Sequence, residues 1–357
     1  MKIQSFIPEI GKKLASYKGV ELIDRIGETT VKEVVSNVLC GSNIRSLTET
    51  LTRKRIALSN AAMLMTYLNA SKSINQLQKN MTNIVANELI NTSLSRSEKQ
   101  YLQWLIGLTG KSVQNVLRGR EAEFIEYLNE LEKSLEESAQ EAKKVFGDLT
   151  GSFCIQDSVT KLSWPVITQI FTAIGAQTLA IRGSEKSMYG KLFEKFILGS
   201  LLTILGFSYS DINELKTDKM VFWLSERGDK RESDATVLVR KGVGVRFDIG
   251  FIGPGNTEIS LDKVSRFETE MKLGRHKHYM STIIIVDRIG EGSRINEMAN
   301  EIGGNIVQMS MSYWVKEVAN ILQEKTGFDH KILSLHDNES LKYVKSKISK
   351  VDLKKFI

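Results

Sequence analysis

The sequence predicts a mixed α+β fold, in which a largely helical N-terminal region precedes an α/β core with a central mixed sheet flanked by helices. Residues 9–164 contain no proline and carry apolar residues at helical spacing, whereas β-branched segments alternate with amphipathic ones from residue 234 onwards. The chain has 357 residues, of which 41% are hydrophobic and 25% are charged. This composition allows about two buried cores and excludes a disordered chain.

The clearest N-terminal helix is predicted over residues 121–146. Phe124, Leu128, Leu131 and Leu135 recur at steps of three and four residues, with charged residues between them. In the second half, a further helix is predicted over residues 190–207, ending at Gly206. The predicted strands cover 234–240, 243–253, 257–261, 281–287 and 305–310. The other predicted helices cover 263–278, 294–304 and 312–324.

The change in composition near residue 180 predicts three parts of the chain. Residues 1–180 are expected to form a helical domain for recognition, dimerisation or DNA wrapping. Residues 181–330 are expected to form the α/β core, and residues 331–357 a basic C-terminal tail. This tail contains six lysines between residues 341 and 357 and one aspartate.

The charge balance favours a polyanionic partner, since 49 Lys and Arg residues against 42 Asp and Glu residues give a net charge of +7. The two cysteines, Cys40 and Cys154, match no zinc spacing and no disulfide framework, which fits a reducing cytoplasm. The apolar run 196–207 is shorter than the about 20 residues of a membrane span, and the N-terminus lacks the apolar core of a signal peptide. We therefore expect a cytoplasmic protein without a membrane partner.

The candidate catalytic residues lie around residue 250. Asp248 and Arg246 alternate with apolar residues in one predicted strand, so they share a face. Residues 254–256 predict a turn, after which the chain returns with Glu258. In such a hairpin Asp248 and Glu258 lie on one face, where two carboxylates repel each other unless a cation such as Mg²⁺ lies between them. The alternative is that Asp248 caps a bulge and Glu258 is an ordinary edge-strand carboxylate.

Asp234 is a second candidate acid, because it immediately precedes the predicted strand 234–240. It either contributes to the cation site or caps a turn, and the second interpretation is favoured. 

The order of elements over about residues 185–310 resembles the PD-(D/E)XK nuclease superfamily and, within it, the CfrBI-like type II restriction endonucleases. The pattern G-x-x-F-E followed by an apolar run and G-F is present as Gly190, Phe193, Glu194, Gly206 and Phe207. The resemblance implies a Mg²⁺-dependent nuclease in which Asp248 and Glu258 bind metal and Glu194 faces the metal site.

The chain departs from the superfamily pattern at the triplet Glu258-Ile259-Ser260, which replaces Glu-x-Lys. The resemblance implies that another group has the role of the missing lysine. Lys263, one turn later, is the candidate, and Ser260 is either near the metal or the N-cap of the following helix. The alternative for Lys263 is a solvated lysine in the first turn of that helix.

Two further segments are candidates for binding DNA. The basic helix 263–278 is expected to contact phosphates or bases, unless it is an ordinary amphipathic surface helix. Residues 97–120 have the outline of a helix-turn-helix, with a plain helical hairpin as the alternative. The candidate DNA-binding residues are Arg246, Arg266, Lys272, Arg275, Lys277, Gln114, Asn115 and Arg118.

The function predicted from these residues and the resemblance is a Mg²⁺-dependent type II restriction endonuclease. It is expected to hydrolyse phosphodiester bonds in double-stranded DNA at a short palindromic site and to act as a homodimer. The resemblance also implies a cognate methyltransferase that acts on the same site. The alternatives are a non-catalytic helix-turn-helix DNA-binding regulator and a structure-specific repair nuclease.

Overall fold

The computed structural model contains two compact units. Met1–Lys18 and Thr50–Ser187 form one of them, called the helical unit here, and Gly19–Glu49 and Met188–Ile357 form the other, called the sheet unit. The residues that the structure describes are 2–16, 21, 23–24, 27–74, 76–91, 93–110, 113, 121–155, 158–211, 219–225, 233–251, 279–287 and 305–357.

The secondary structure of the described residues is mainly helical before residue 205 and mixed after it. The α-helices are, in chain order, α1 (Glu9–Ala15), α2 (Glu28–Leu39), α3 (Ile44–Ser73), α4 (Leu77–Asn91), α5 (Arg96–Leu105), α6 (Glu121–Phe146), α7 (Trp164–Ile204), α8 (Trp314–Thr326) and α9 (Asp337–Ile348). The strands are β1 (Gly151–Ile155), β2 (Ser158–Leu162), β3 (Ser208–Tyr209), β4 (Val221–Leu224), β5 (Ala235–Arg240), β6 (Val243–Gly250), β7 (Tyr279–Val286) and β8 (Asn305–Gln308). Short 3₁₀ helices cover Ile3–Phe6, Lys331–Ser334 and Leu353–Phe356.

Helix α5 shows how local sequence determines an element of the helical unit. The Ser95 hydroxyl accepts a hydrogen bond from the Glu98 backbone N–H, and the Glu98 carboxylate accepts one from the Ser95 backbone N–H. This reciprocal cap satisfies donors that the first helical turn leaves without intrahelical partners. Tyr101, Leu102 and Leu105 then lie fully buried on one face.

A buried ion pair links three helices of the helical unit. The Arg55 guanidinium on α3 lies 3.1 Å from the Glu185 carboxylate on α7, and both side chains are almost inaccessible to solvent. Arg55 also donates to the Leu14 carbonyl on α1 at 2.7 Å. Because a buried charge without a partner is strongly destabilising, removing either member of this pair is expected to cost more than the pair itself contributes.

One element of the N-terminal half is not helical. Strands β1 and β2 form an antiparallel two-stranded hairpin, with Gly151 opposite Leu162 and Ile155 opposite Ser158. The sequence predicted mostly helix up to residue 180, and each strand has only five residues. The prediction of a largely helical N-terminal region is nevertheless confirmed.

The sheet unit is built on a six-stranded mixed sheet with the strand order β3-β4-β5-β6-β7-β8. Strands β4, β5 and β6 pair antiparallel, whereas β6, β7 and β8 pair parallel. Strands β6, β7 and β8 therefore end at the same edge of the sheet, and β5 begins there. We call this the C-terminal edge.

One face of this sheet is fully buried by β-branched and aromatic side chains. Val237, Phe247, Ile249, Ile285 and Val307 are each at most 1% exposed. Their registers place them on neighbouring strands of the same face. At about 1.5–3 kcal/mol for each fully buried large side chain, this face is a major source of stability for the unit.

Helix α7 is much longer than predicted. It begins at Trp164 and has 41 residues, whereas the sequence predicted a helix over residues 190–207. The predicted C-terminus is confirmed, because the helix ends at Ile204 and Gly206 adopts a positive φ of 89°. Near this end, a Cβ on Gly199 would lie 2.7 Å from the Phe356 ring, so the glycine allows the C-terminal 3₁₀ helix to pack closely.

The segment 27–49 belongs to the sheet unit although it lies near the start of the sequence. Helix α2 packs on α9, and the indole N–H of Trp314 donates to the Val38 carbonyl at 3.0 Å. A Cβ on Gly41 would lie 2.9 Å from the Ser312 backbone, and Gly41 has a φ of 94°, so both space and conformation favour glycine.

The predicted fold class is confirmed. The structure contains the predicted helix over residues 121–146 and, in sequence order, the strands over 234–240, 281–287 and 305–310 and the helix near 312–324. The predicted elements over 257–261, 263–278 and 294–304 lie outside the described residues. The predicted domain bounds at residues 180 and 330 stay predictions, and residues 331–357 contain folded helical segments that begin with Lys331–Ser334.

Helix α7 also meets the length and hydropathy requirements for a membrane span among the described residues. Core helices of soluble proteins meet the same requirements. Leu198, Leu201 and Leu202 near its C-terminal end are fully buried within the protein.

Candidate active site

The β5–β6 hairpin determines which side chains approach Asp248. Its turn contains Lys241 and Gly242, and Gly242 adopts the positive φ of 77° that tight hairpin turns require. A register shift between Leu238 and Arg240 indicates a β-bulge, after which Ala235 lies opposite Phe247.

Arg246 and Asp248 lie on the partly exposed face of β6. Both are half-buried, whereas Val245, Phe247 and Ile249 between and beside them are at most 1% exposed. This is the face that the alternation in the sequence predicted. The β7 residues opposite them, Thr282 and Ile284, are buried. Arg246 and Asp248 therefore lie on a central strand, next to a strand that is buried at these positions.

Asp234 lies one residue before β5, near Asp248. Ala235 is opposite Phe247, and continuing this register by one residue beyond the strand brings Asp234 beside Asp248. The Asp234 carboxylate accepts a hydrogen bond of 2.8 Å from the Ile249 backbone N–H, and its carbonyl accepts one of 3.2 Å from Ser225 N–H. Asp234 is half-buried, as Asp248 is. The sequence suggested Asp234 only as a second candidate and favoured a structural role for it.

The strand that pairs with β6 differs from the prediction. One edge of β6 pairs with β5 over Val243–Phe247, and the other edge pairs with β7 over Val243–Gly250. The predicted hairpin between this strand and residues 257–261 is therefore wrong over 243–247, while residues 254–261 lie outside the described part of the chain. The turn at 241–242 connects the two strands of the β5–β6 hairpin.

Glu194, the candidate acid on α7, belongs to the sheet unit and is half-buried. Phe193 and Phe196 beside it are fully buried and pack edge-to-face at 5.9 Å between ring centroids. This aromatic packing fixes the helix around Glu194.

The donor chemistry of Asp234 and Asp248 fits a divalent metal with a preference for oxygen. Two like charges directly opposite each other on a sheet are destabilising, and a cation between them removes the repulsion. Carboxylate oxygens are the ligands that Mg²⁺ takes in proteins. Within the described part of the chain, no group of three or more His, Cys, Asp or Glu side chains is placed to hold a metal ion. Asp234 and Asp248 are therefore two candidate ligands and not a complete set.

The C-terminal edge also contains a buried acid, Asp287, which directly follows β7 and is 5% exposed. Its backbone carbonyl accepts a hydrogen bond of 3.0 Å from Ser310 N–H. Burial raises the pKa of the Asp287 carboxyl, and the positive charge of Arg45 partly opposes this effect. Asp287 was not among the candidates from the sequence, because an acid after a buried strand is a common pattern.

The other candidate residues lie outside the described part of the chain, so their predicted roles stay predictions. They are the candidate catalytic residues Glu258, Ser260 and Lys263 and the candidate DNA-binding residues Gln114, Asn115, Arg118, Arg266, Lys272, Arg275 and Lys277.

Comparison with known proteins identifies the class of enzyme. A family model described as CfrBI restriction endonuclease matches residues 28–294. The chain is 41% identical over 348 residues to the type II restriction enzyme CfrBI of Citrobacter freundii, and the alignment covers 96% of this chain and 95% of that protein. No solved structure matches the chain.

These matches make the chain a type II restriction endonuclease, a site-specific deoxyribonuclease of a restriction-modification system, with double-stranded DNA as its substrate. It belongs to the CfrBI restriction endonuclease family, and the resemblance stated from the sequence is confirmed. The enzyme interpretation is thus supported over the non-catalytic regulator and the repair nuclease. Type II restriction endonucleases generally use a divalent metal.

Proposed function

We propose that the protein hydrolyses phosphodiester bonds of double-stranded DNA with Mg²⁺, at a site that includes Asp234 and Asp248. The observation that supports this proposal is the β5–β6 register, which, continued by one residue, brings Asp234 beside Asp248 at the C-terminal edge. A hairpin stabilised only for folding has no need for like charges in opposed positions.

Each acid has a defined part in the proposal. Asp248 and Asp234 provide oxygen ligands from two neighbouring strands, and the bond from Ile249 N–H holds the Asp234 carboxylate in place. When bound, Mg²⁺ supplies Lewis-acid stabilisation of the charge that develops on the attacked phosphate. Glu258 and Glu194 are proposed as further acids of the same site, Lys263 as the group that stabilises phosphate charge, and Ser260 as a nearby polar group.

The test of this proposal is plasmid digestion with and without MgCl₂ by the wild-type protein and the Asp248→Asn variant. The wild type is expected to give discrete fragments only with the metal, and the variant is expected to lose on the order of 10²–10³-fold in rate while still retarding DNA. Asp329→Asn is the matched control, since it removes one exposed carboxylate of the sheet unit. Normal cleavage by Asp248→Asn would refute the site.

Two variants of Asp234 separate a metal-binding role from a structural one. Asp234→Asn keeps an oxygen that accepts the Ile249 N–H but removes the charge, whereas Asp234→Ala removes both. If Asp234 is a metal ligand, both variants are expected to lose cleavage. Only the alanine variant is also expected to lose about 1–3 kcal/mol of stability. If Asp234→Asn cleaves at the wild-type rate, Asp234 only supports the fold.

The finer features of the substrate and the assembly are part of the same proposal. A short palindromic recognition site is matched by a two-fold homodimer in which each subunit cuts one strand. The basic helix 263–278 and Arg246 are proposed to contact the DNA, together with Gln114, Asn115 and Arg118. The protein is proposed to act in the cytoplasm beside a cognate methyltransferase that modifies the same site. Fragment-end sequencing after digestion tests the palindrome, because both ends must then read the same sequence.

A further inference from the structure

Arg45 is an exposed arginine whose guanidinium lies at the C-terminal edge of the sheet. It is in the first turn of α3, where its backbone N–H donates to the Asn43 side-chain oxygen at 2.8 Å. Its Nη2 donates to the carbonyl of Phe251 at 3.2 Å, and Phe251 directly follows the strand that contains Asp248. The N-terminal segment thus supplies a cation to the edge at which the candidate acids lie.

The backbone around Arg45 is fixed to the sheet unit. Helix α2 ends at Leu39, where the Trp314 indole holds the Val38 carbonyl. Gly41 then packs against the Ser312 backbone, and the close approach is possible only because it lacks a Cβ. Arg45 follows four residues later, so its position is set by buried contacts rather than by a free surface loop.

The guanidinium of Arg45 has donors to spare for an anion. An arginine has five N–H donors, and among the described residues the Phe251 carbonyl is the only acceptor of its side chain. Asp287, which follows β7 as Phe251 follows β6, is buried, and its Oδ2 has no hydrogen-bond partner within the described part of the chain. The arginine charge partly opposes the rise that burial causes in the pKa of Asp287. The carboxylate and the guanidinium therefore attract each other at this edge, and no hydrogen bond between the described residues joins them.

The spacing fits a DNA backbone. Phe251 is three residues beyond Asp248, or about 10 Å along an extended strand. Successive phosphates of one DNA strand are about 3.4 Å apart along the helix axis, so about three nucleotides span this distance. An arginine fork matches the geometry of phosphate oxygens and binds them through two parallel N–H bonds.

We propose that Arg45 binds a backbone phosphate about three nucleotides from the scissile one and so positions the DNA strand on the catalytic edge. The inference rests on the proposed function, in which Asp248 is part of the catalytic site. Arg45 is a positioning residue in this scheme: it holds the strand and does not touch the reacting atoms. Since phosphates have no sequence information, the contact strengthens binding equally at every sequence.

The test measures DNA binding in the non-cleaving Asp248→Asn background, by fluorescence anisotropy over a range of KCl concentrations. Two labelled duplexes are used, one with a cleavage site mapped by fragment-end sequencing and one without it. Arg45→Gln keeps an amide N–H for the Phe251 carbonyl but removes the charge. It is expected to weaken binding of both duplexes about tenfold and to lower the slope of log K against log [salt] by about 0.9, the value for one phosphate contact.

Arg45→Lys and Arg240→Gln complete the experiment. Lysine keeps the charge, so it is expected to restore the salt slope. Arg240 is exposed at the opposite end of β5, so its loss is expected to leave the slope unchanged.

The proposal is overturned if Arg45→Gln leaves the slope unchanged, if it weakens only the duplex with the site, or if Arg240→Gln lowers the slope as much. A wild-type protein that does not cleave DNA with Mg²⁺ contradicts the proposed function instead. The salt slopes are measured without cleavage, so they test the role of Arg45 independently of that result.

Discussion

At the scale of single residues, the β-bulge between Leu238 and Arg240 determines which residue of the neighbouring segment lies beside Asp248. Asp248 was predicted because it interrupts an apolar strand, and its shared face with Arg246 follows from a period of two residues. Its partner depends on the turn at Lys241–Gly242 and on the bulge between Leu238 and Arg240. Counted from the turn without the bulge, Ala235 and not Asp234 faces Asp248, so the extra residue makes the pairing hard to predict.

Glu98 allows a pH prediction at the same scale. Its hydrogen bond with Lys12, at 2.9 Å, and its bonds with Ser95 lower the pKa of the Glu98 carboxyl to about 2. A carboxyl with a lowered pKa stabilises the fold above its unfolded pKa near 4.5, and this contribution is lost as the pH falls towards 2. Glu98→Gln is expected to cost about 1–2 kcal/mol at neutral pH, with the difference disappearing between about pH 4.5 and pH 2.

The measurement is urea unfolding of wild type and Glu98→Gln at pH 7, 4.5 and 3, with Glu126→Gln on α6 as an exposed control. A cost for Glu98→Gln that does not shrink with falling pH would show that the charge is irrelevant and that only packing of the side chain matters.

At the scale of secondary-structure elements, strongly periodic segments were predicted well and weakly patterned ones were not. Helix α6 was predicted over its whole length because its apolar residues recur at helical spacing. The start of α7 was missed, since Trp164 begins a nearly continuous apolar stretch whose periodicity is weak. The β1–β2 hairpin was missed because its strands are short and lie largely exposed to solvent.

Packing of the C-terminal 3₁₀ helix on α7 gives a prediction for one substitution. Gly199→Ala adds a methyl group that would lie 2.7 Å from the Phe356 ring. The ring or the helix must move, and we expect a loss of about 1–3 kcal/mol in the free energy of unfolding, measured in urea.

Gly190→Ala on the same helix is the control, because no described atom lies within 4 Å of its added Cβ. It is expected to stabilise by up to about 1 kcal/mol, the difference in helix propensity. Equal effects of both substitutions would contradict the packing argument.

At the scale of the whole molecule, the composition and the order of elements indicated the class of enzyme. They did not indicate which segments of the chain form each compact unit. The positive net charge and the succession of helix, strands and helix were visible in the sequence. The inclusion of residues 19–49 in the sheet unit was not, because it depends on contacts across almost the whole chain, such as that of Val38 with Trp314.

The proposed homodimer makes a prediction about mixed subunits. Wild type and Asp248→Asn, refolded together at equal amounts, are expected to form mixed dimers that cut only one strand of a supercoiled plasmid. Gel electrophoresis should then show nicked circles in addition to linear DNA. Accumulation of linear plasmid alone, at half the rate, would indicate that one subunit cuts both strands.

The contact between Val38 and Trp314 has a consequence for biosynthesis. Helix α2 leaves the ribosome early, yet the tryptophan that binds its C-terminal end is added 276 residues later. Until then, helix α2 lacks this partner, so the sheet unit cannot complete its fold before the end of translation. The same dependence means that a fragment starting at Met188 would expose the surface that α2 covers, so such a truncation should be insoluble or inactive.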